Sequence, residues 1–385
     1  MCILYVIPMN LSSKELIGVA NKVENLVKVL ESKNIEVVKL FFQGESLIMS
    51  DKKLEVAVSA SKLLKSKLEN RKVIYDEAYN ILREKRNKCR VVMFRHIGFD
   101  PILVKNIKKI KKMGVKVIVE IPTYPYSREF LSGPLTSKFK LVIDVIWRLN
   151  IRKYVDFIVA PITEKEKLFG IPIIRTGNGI RTSIIPIKKC SLQNNILYLL
   201  GVANVSRWHG YDRVIKGLKN YTGNKKVVFH VVGEGKEKPK LIKLVKKLNL
   251  EDKVIFHGTK TGKELDKLFD MAHIAIGDIG SHRKGLKETM ALKHREYAAR
   301  GIPFVLSTYD PDFPPELDFV KYIPPNDEPV NIDSIVKWYQ DLIEKNPNIS
   351  MKMRKYAEEN LTWEVKLKPV VEKIKELLKQ KGVNT

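Results

Sequence analysis

The chain reads as an α/β protein built from two doubly wound, Rossmann-like domains in tandem. Three observations predict this. Its 385 residues exceed what one hydrophobic core ordinarily holds. Short apolar runs alternate with stretches whose apolar residues recur every three or four positions, the pattern of parallel strands linked by helices. That alternation runs once through the first half, breaks at an aperiodic segment, RTSIIPIKKCSLQNN, and starts again.

Taken in order, ILYVIP is a strand, ELIGVANKVENLVKVLESK a helix and IEVVKLFF a strand. RVVMFRH, the helix ILVKNIKKIKKM and VKVIVEIP follow, then DFIVAP, a short helix at TEKEKLFG and IPIIRTGNGI. In the second half NILYLLGVA, KVVFHVVGEG, KVIFHG, HIAIGDIG and IPFVLS are strands with their loops. YDRVIKGLKNY, KPKLIKLVKKLNL, GKELDKLFDM and a segment near 290–300 are the helices between them. WEVKLKPVVEKIKELLKQK closes the chain as an amphipathic helix with lysines on its outer face. The expected organisation is a first domain over 1–180, a linker over 181–195, a second domain over 196–355 and a terminal helix over 356–385.

Composition narrows the function classes. Hydrophobic residues at 44% and charged residues at 29% are those of a globular protein rather than a disordered one. No apolar run approaches the roughly 20 residues that cross a bilayer. MCILYVIPMN lacks a basic leading region and reads as a buried first strand, so no signal peptide is expected. Cysteines at positions 2, 89 and 190 form no CxxC pair and are odd in number, which points to a reduced cytoplasmic setting. The seven histidines show no metal-ligand spacing, so no metal is expected. The net charge is +27, and residues 1–190 carry +18 of it, concentrated near KNIKKIKKMGVK and NIRKY. An anionic partner for the first half follows from that asymmetry: acidic lipid headgroups, a pyrophosphate-bearing acceptor or nucleic acid. Lysine-rich solvated helix faces are the plainer explanation.

Open parallel sheets bind ligands beyond the carboxyl ends of their strands. The informative residues of the second half are therefore 204–210, 233–235, 277–287 and the stretch KETMALKHREYAARGIPFVLS. A helix over 289–299, closed by Arg300-Gly301, would turn its amide groups toward an anion. Glu288 would stand at its mouth and Glu296 about 12 Å along it. Carboxylates accept paired sugar hydroxyls, so two acids flanking an amide-lined tip fit a nucleotide diphosphate sugar. Ala298 and Ala299 let the helix approach the sheet, and Pro303 sits where a strand begins.

The E-x7-E pattern followed by small residues and G-x-P, here EtmalkhrEyAarGiPfv, resembles the donor-site signature of retaining, family-4 type (group 1) glycosyltransferases. GvanKvenLvkvL, GNGI, ANVSRWHGYDRVIKGL, VVGEG and KVIFHGTKTGKEL resemble further parts of the same family. EIPTYPY, WHGYDR and LKHREYAARGIPF are most similar to a branch that builds capsular or other exopolysaccharide repeat units. The resemblance implies the GT-B fold: two Rossmann-like domains facing a cleft, the donor on the second, the acceptor on the first, and a terminal helix returning to the first. It implies transfer with retention, no bound metal and no cofactor beyond a UDP- or GDP-type sugar donor.

Carried over position by position, Glu296 matches the acid that holds the ribose hydroxyls and Glu288 the acid near the donor sugar and its phosphate. Many relatives carry R-x4-K in the diphosphate loop; here those positions are Asn204 and His209. Arg207, a protonated His209, Arg283, Lys284 and Lys293 are the candidates to replace the missing cations. A surface role for Arg207 and a capping role for His209 are the alternatives. Gly233 and Gly235 form a turn that approaches the nucleotide or merely closes the strand. Glu120, Arg95 and His96 end neighbouring first-domain strands; Glu120 and His96 are candidates to orient or deprotonate the acceptor hydroxyl. The alternative for all three is a structural role, for Glu120 that of a carboxylate bonded to the TYPY loop. Asp310-Pro311-Asp312 spells DxD but, with proline inside, reads as a turn rather than a metal motif. The expected partners are a nucleotide sugar, a glycan or lipid-pyrophosphate-linked acceptor and the anionic inner face of the cell membrane. Two other readings compete: another nucleotide-sugar enzyme of the same fold (an epimerase or phosphorylase) and a basic nucleic-acid binder. Against the binder, no nucleic-acid motif appears and the aromatics are not interleaved with the basic runs.

Overall fold

The computed structural model describes residues 2–13, 16–50, 52–53, 67–85, 87–131, 135–161, 165–188 and 195–379. The chain divides into two compact units, Met1–Gly177 with Lys366–Thr385, and Asn178–Val365. Each is built around its own parallel sheet. The chain thus leaves the first unit, forms the whole of the second, and returns. Most of the expected linker, 189–194 with Cys190, lies outside the described residues.

The first unit contains β1 (Cys2–Asn10), β2 (Glu36–Gln43), β3 (Ser46–Met49), β4 (Lys52–Lys53), β5 (Cys89–Arg95), β6 (Lys116–Glu120), β7 (Phe157–Ala160), β8 (Lys167–Leu168) and β9 (Ile171–Arg175). They form one sheet in the order β4-β3-β2-β1-β5-β6-β7-β9-β8. The six strands from β2 to β9 pair in parallel, and antiparallel hairpins finish both edges. Its helices are α1 (Ile17–Ser32), α2 (Lys67–Glu84), α3 (Pro101–Lys112), α4 (Ser127–Leu131) and α5 (Leu135–Ile151). Fully buried Leu4, Val6, Val92, Phe94, Val117 and Val119 run along the central strands, the near-continuous apolar reading of strands covered on both faces.

The second unit contains β10 (Ile196–Val202), β11 (Lys226–Val232), β12 (Val254–Gly258), β13 (Ile274–Ile276), β14 (Phe304–Leu306) and β15 (Val320–Tyr322), ordered β12-β11-β10-β13-β14-β15 and parallel throughout. Its helices are α6 (Tyr211–Asn220), α7 (Lys238–Leu248), α8 (Gly262–Met271), α9 (Leu292–Arg300), α10 (Ile332–Lys345) and α11 (Ile349–Asn360). The closing helix, α12 (Trp363–Lys379), has most of its length in the first unit, where Lys373 lies 4.3 Å over the Phe157 ring. β10 lies between β11 and β13, so the strand order reverses there. The loops leaving β10 and β13 flank the crevice where such sheets bind ligands.

Four sequence expectations are corrected. The segment at 163–170 was expected as a helix; 163–164 lie outside the described residues, and Lys167–Leu168 instead pairs back on Ile171–Pro172. Phe169 and Gly170 have φ of +55° and +78°, the left-handed pair that a two-residue hairpin turn requires, and sheet pairing overrides the helix preference of the lysines and glutamates. The helix expected over 289–299 starts three residues later. Residues 288–289 extend beside Tyr309, with the Thr289 N–H donating to the Tyr309 carbonyl at 2.8 Å. The terminal helix expected over 356–385 is two helices, with Leu361 and Thr362 between them. Finally, Cys2 and Cys89 are not free thiols: they face each other across the β1–β5 ladder and form a disulfide.

Candidate functional site

Two loops and one helix end build the site of the second unit. After β10 the chain runs through Ala203–Ser206 into a single 3-10 turn, Arg207–His209, and enters α6 at Gly210, which takes φ +70°. After β13 it passes Gly277, Asp278 and Gly280 into a second 3-10 turn, Ser281–Lys284. A Cβ on Gly210 would stand 2.9 Å from the backbone of Ile279, so the two loops meet at an approach closer than a side chain permits. Gly233 (φ +120°) plays the same part from below, since a Cβ there would run into the Ala203 carbonyl. Its place is against the loop after β10 rather than in it. Asn204 is exposed on that loop, and its carbonyl accepts the Ser206 hydroxyl at 3.0 Å.

The cations predicted for the diphosphate separate into two kinds. Arg283 is committed: it donates to both oxygens of Asp212 at 2.8 and 2.9 Å, to Asp327 at 2.6 Å and to the Arg207 carbonyl at 2.7 Å. It fastens the second turn to the first. Arg207 is exposed, and Lys284 lies 3.4 Å over the Trp208 ring. Lys293, in the first turn of α9, places its ammonium 2.7 Å from Asp278 and 6.0 Å from the Tyr211 ring. Burial alone would raise the Asp278 carboxyl. The Lys293 ammonium, by its charge and its hydrogen bond, instead holds it well below the usual carboxylate range.

His209 is corrected as a cation. Its Nδ1 accepts the Ser206 N–H at 3.1 Å, its ring stacks 5.7 Å from Tyr211, and burial with Lys293 nearby lowers its pKa to about 3. It is a neutral imidazole that closes the loop. Positive charge at this point enters from α9, through Lys293.

No side chain caps the N-terminus of α9. Asn178, from the GNGI turn, donates to the Met290 carbonyl at 2.7 Å and fixes the entering chain. Behind it, Arg295 is fully buried and makes a fork to Asp310 at 2.5 and 2.9 Å and a further bond to Asp312. His294 completes the anchor: its Nε2 accepts the Asp278 N–H at 3.2 Å, which leaves Nδ1–H to donate to Asp310 at 2.8 Å. The DxD sequence is thus a turn whose acids hold α9, as its proline suggested. Sequence reasoning missed Asp278, Arg295 and His294. All three lie in the stretches it marked, 277–287 and 287–307, but it gave none of them a role.

The two glutamates differ from the expected picture in one respect. Glu296 is in the second turn of α9, half-buried, with Arg300 donating to it at 3.1 Å. Glu288 is half-buried but does not stand at the helix mouth; it lies in the extended segment beside Tyr309, four residues before α9 begins.

In the first unit, Arg95 and Glu120 sit opposite each other at the ends of β5 and β6. Arg95 is 2.8 Å from both oxygens of Glu120, and the Tyr5 hydroxyl donates to the same carboxylate. Burial would raise Glu120, but Arg95 and Lys22 hold it below the ordinary value. Glu120 is therefore corrected as a base: a buried, ion-paired carboxylate of lowered basicity orders the strand ends. His96 is different. Its Nε2 lies 3.3 Å from Asp144, which also accepts the Phe99 N–H at 2.7 Å and the Tyr126 hydroxyl at 2.8 Å. Burial lowers the imidazole pKa, so the ring is neutral. With Nε2–H toward Asp144, Nδ1 is left as the acceptor. Asp144, the single acid in LVIDVIW, was not singled out by the sequence.

Two doubly wound parallel sheets, one with glycine-tightened loops at its strand-order reversal, define the GT-B class of fold. Solved structures of that class cover nearly the whole chain. Sucrose-phosphate synthase from Thermosynechococcus elongatus aligns over 98% of this chain and 99% of its own, at 13% identity and a TM-score of 0.61. The Anabaena protein HepE in complex with UDP aligns over 98% and 100%, at 12% and 0.64. The lipopolysaccharide outer core galactosyltransferase WaaB in its apo form aligns over 98% and 99%, at 15% and 0.60. No curated protein sequence matches the chain. Residues 187–360 match the model of the family described as group 1 glycosyl transferases.

Proposed function

We propose that the chain transfers a sugar from a UDP- or GDP-type nucleotide sugar to a hydroxyl of a lipid-pyrophosphate-linked or glycan acceptor, with retention at the anomeric carbon, in the assembly of a surface polysaccharide. The observation that carries this is the α9 tip: an uncapped helix N-terminus beside Lys293, with Glu296 one turn further along. The diphosphate sits on the amides and Lys293, joined by Arg207 and Lys284; Glu296 accepts the ribose hydroxyls and Glu288 contacts the donor sugar. Departure of the diphosphate is then assisted by charges already in place. In the first unit the neutral His96, oriented by Asp144, receives the acceptor proton at Nδ1. The +18 carried by residues 1–190 suits a pyrophosphate acceptor at an anionic inner membrane face.

Thermal-shift titration with UDP-glucose and GDP-mannose tests the donor site. A donor present at 100 times its Kd stabilises by about 2.7 kcal/mol. Glu296→Ala is expected to remove that gain while leaving the unliganded melting point nearly unchanged. An undiminished shift in the variant overturns the ribose assignment, and turnover of donor alone into an epimer overturns the transfer reaction.

A further inference from the structure

Helix α5 is amphipathic in the wrong direction for a helix that serves only its own core. Leu135, Phe139, Val142, Ile146 and Leu149 recur at four- and three-residue spacing and are 68%, 64%, 56%, 54% and 73% exposed. Ile143 and Val145 widen the stripe, at 42% and 38%. The side turned inward carries Asp144, fully buried, and Arg148, whose guanidinium is 3.7 Å from Asp144 and 4.8 Å from the Phe169 ring. Asp144, Ile151 and Trp147 thus anchor the helix from within, while a second apolar set faces out over about 21 Å, from Leu135 to Leu149. Scattered exposed leucines are ordinary; a continuous stripe of this size marks a surface that is covered in use.

Charge selects the occupant. Lys138 and Lys140 flank the stripe at one end and Arg152 and Lys153 at the other, all exposed. Asp144 is the single acid of α5, and it is buried. A second copy packed on the same face would bring these cations against their own like. An anionic bilayer surface satisfies both features at once, taking the apolar side chains between its headgroups and the lysines and arginines at its phosphates. No helix among the described residues is long and apolar enough to cross a membrane, so the attachment is one of lying on the surface.

We propose that the outer face of α5 is the membrane-seating surface of the protein, with Leu135, Phe139, Val142, Ile146 and Leu149 entering the interfacial layer of an anionic leaflet. This deepens, and rests on, the lipid-linked acceptor reading above. It also gives Asp144 a second consequence, because the helix that seats on lipid is the one that holds His96.

The test is co-sedimentation of the full chain with phosphatidylcholine vesicles, with and without added phosphatidylglycerol. Wild type is expected to pellet with the anionic vesicles, and Phe139→Ser/Ile146→Ser to lose about tenfold or more in partitioning. Lys138→Gln/Lys140→Gln is expected to lose binding selectively as anionic lipid is diluted. Because the altered side chains are exposed, melting points and donor-induced thermal shifts should match wild type. Failure here is therefore separable from failure of the donor site. Equal binding by wild type and the serine double variant overturns the proposal. So does a concentration-dependent dimer, seen by sedimentation velocity, that the same variant abolishes while vesicle binding is absent.

Discussion

At the scale of single residues, the site is governed by which side chains remain available after the fold has used the others. Arg283 was a candidate by sequence and Arg295 was not, yet six carboxylate contacts consume the two of them. Lys293 keeps one partner, Asp278, at a place where a diphosphate would compete for it. His209 has a measurable signature. Folded, its pKa is about 3; an imidazole in the unfolded chain titrates near 6.5. The folded state therefore binds fewer protons in that interval. Its stabilising effect is complete above about pH 6.5 and is lost as the pH falls toward 3. Melting temperature measured from pH 7 to 4.5 should fall less steeply for His209→Gln than for wild type; identical slopes would return the charge to His209. The sequence offered a capping role as the alternative to a cationic His209, and the capping role is the one found; the partner, the Ser206 N–H that takes the ring's lone pair, was not readable.

At the scale of elements, strands and the loops behind them were legible because buried parallel strands write themselves as apolar runs. IEVVKLFF, VKVIVEIP and NILYLLGVA each fall on the strand they predicted. Helix α2 was passed over although Ile74, Ala78, Ile81 and Leu82 carry a usable period, because lysine, asparagine and glutamate dominate its composition. Helix α5 hid for the opposite reason: its apolar stripe is the exposed side, so periodicity alone would have assigned the wrong face. The start of α9 was misplaced since Glu288 and Thr289 suit a helix start locally but are claimed by the strand-like pairing with Tyr309. The loops of the site depend on glycine where backbones meet. Gly233→Ala combines a positive φ with a collision at Ala203, and is expected to cost about 1–3 kcal/mol of stability and to weaken donor binding. Urea unfolding and the nucleotide-sugar thermal shift measure the two effects separately, and a neutral substitution would show that the 203–210 loop relaxes freely.

At the scale of the whole molecule, the disulfide is the feature that composition misread. Three cysteines suggested free thiols, but Cys2 and Cys89 occupy opposed positions on neighbouring strands, 87 positions apart in sequence, and close the chain between them into one ring. Such a cross-link typically contributes about 2–4 kcal/mol. Thermal scans with and without a phosphine reductant should differ by several degrees for wild type and coincide for Cys2→Ser; free thiols found by mass spectrometry in untreated protein would refute the bond. A separate consequence follows from the chain's return at Lys366. During synthesis, everything from Asn178 to Val365 emerges and can compact before the ribosome has delivered α12, which belongs to the unit begun at the first residue. The half made first is thus finished last, and it waits for its closing segment while a complete neighbour already stands downstream.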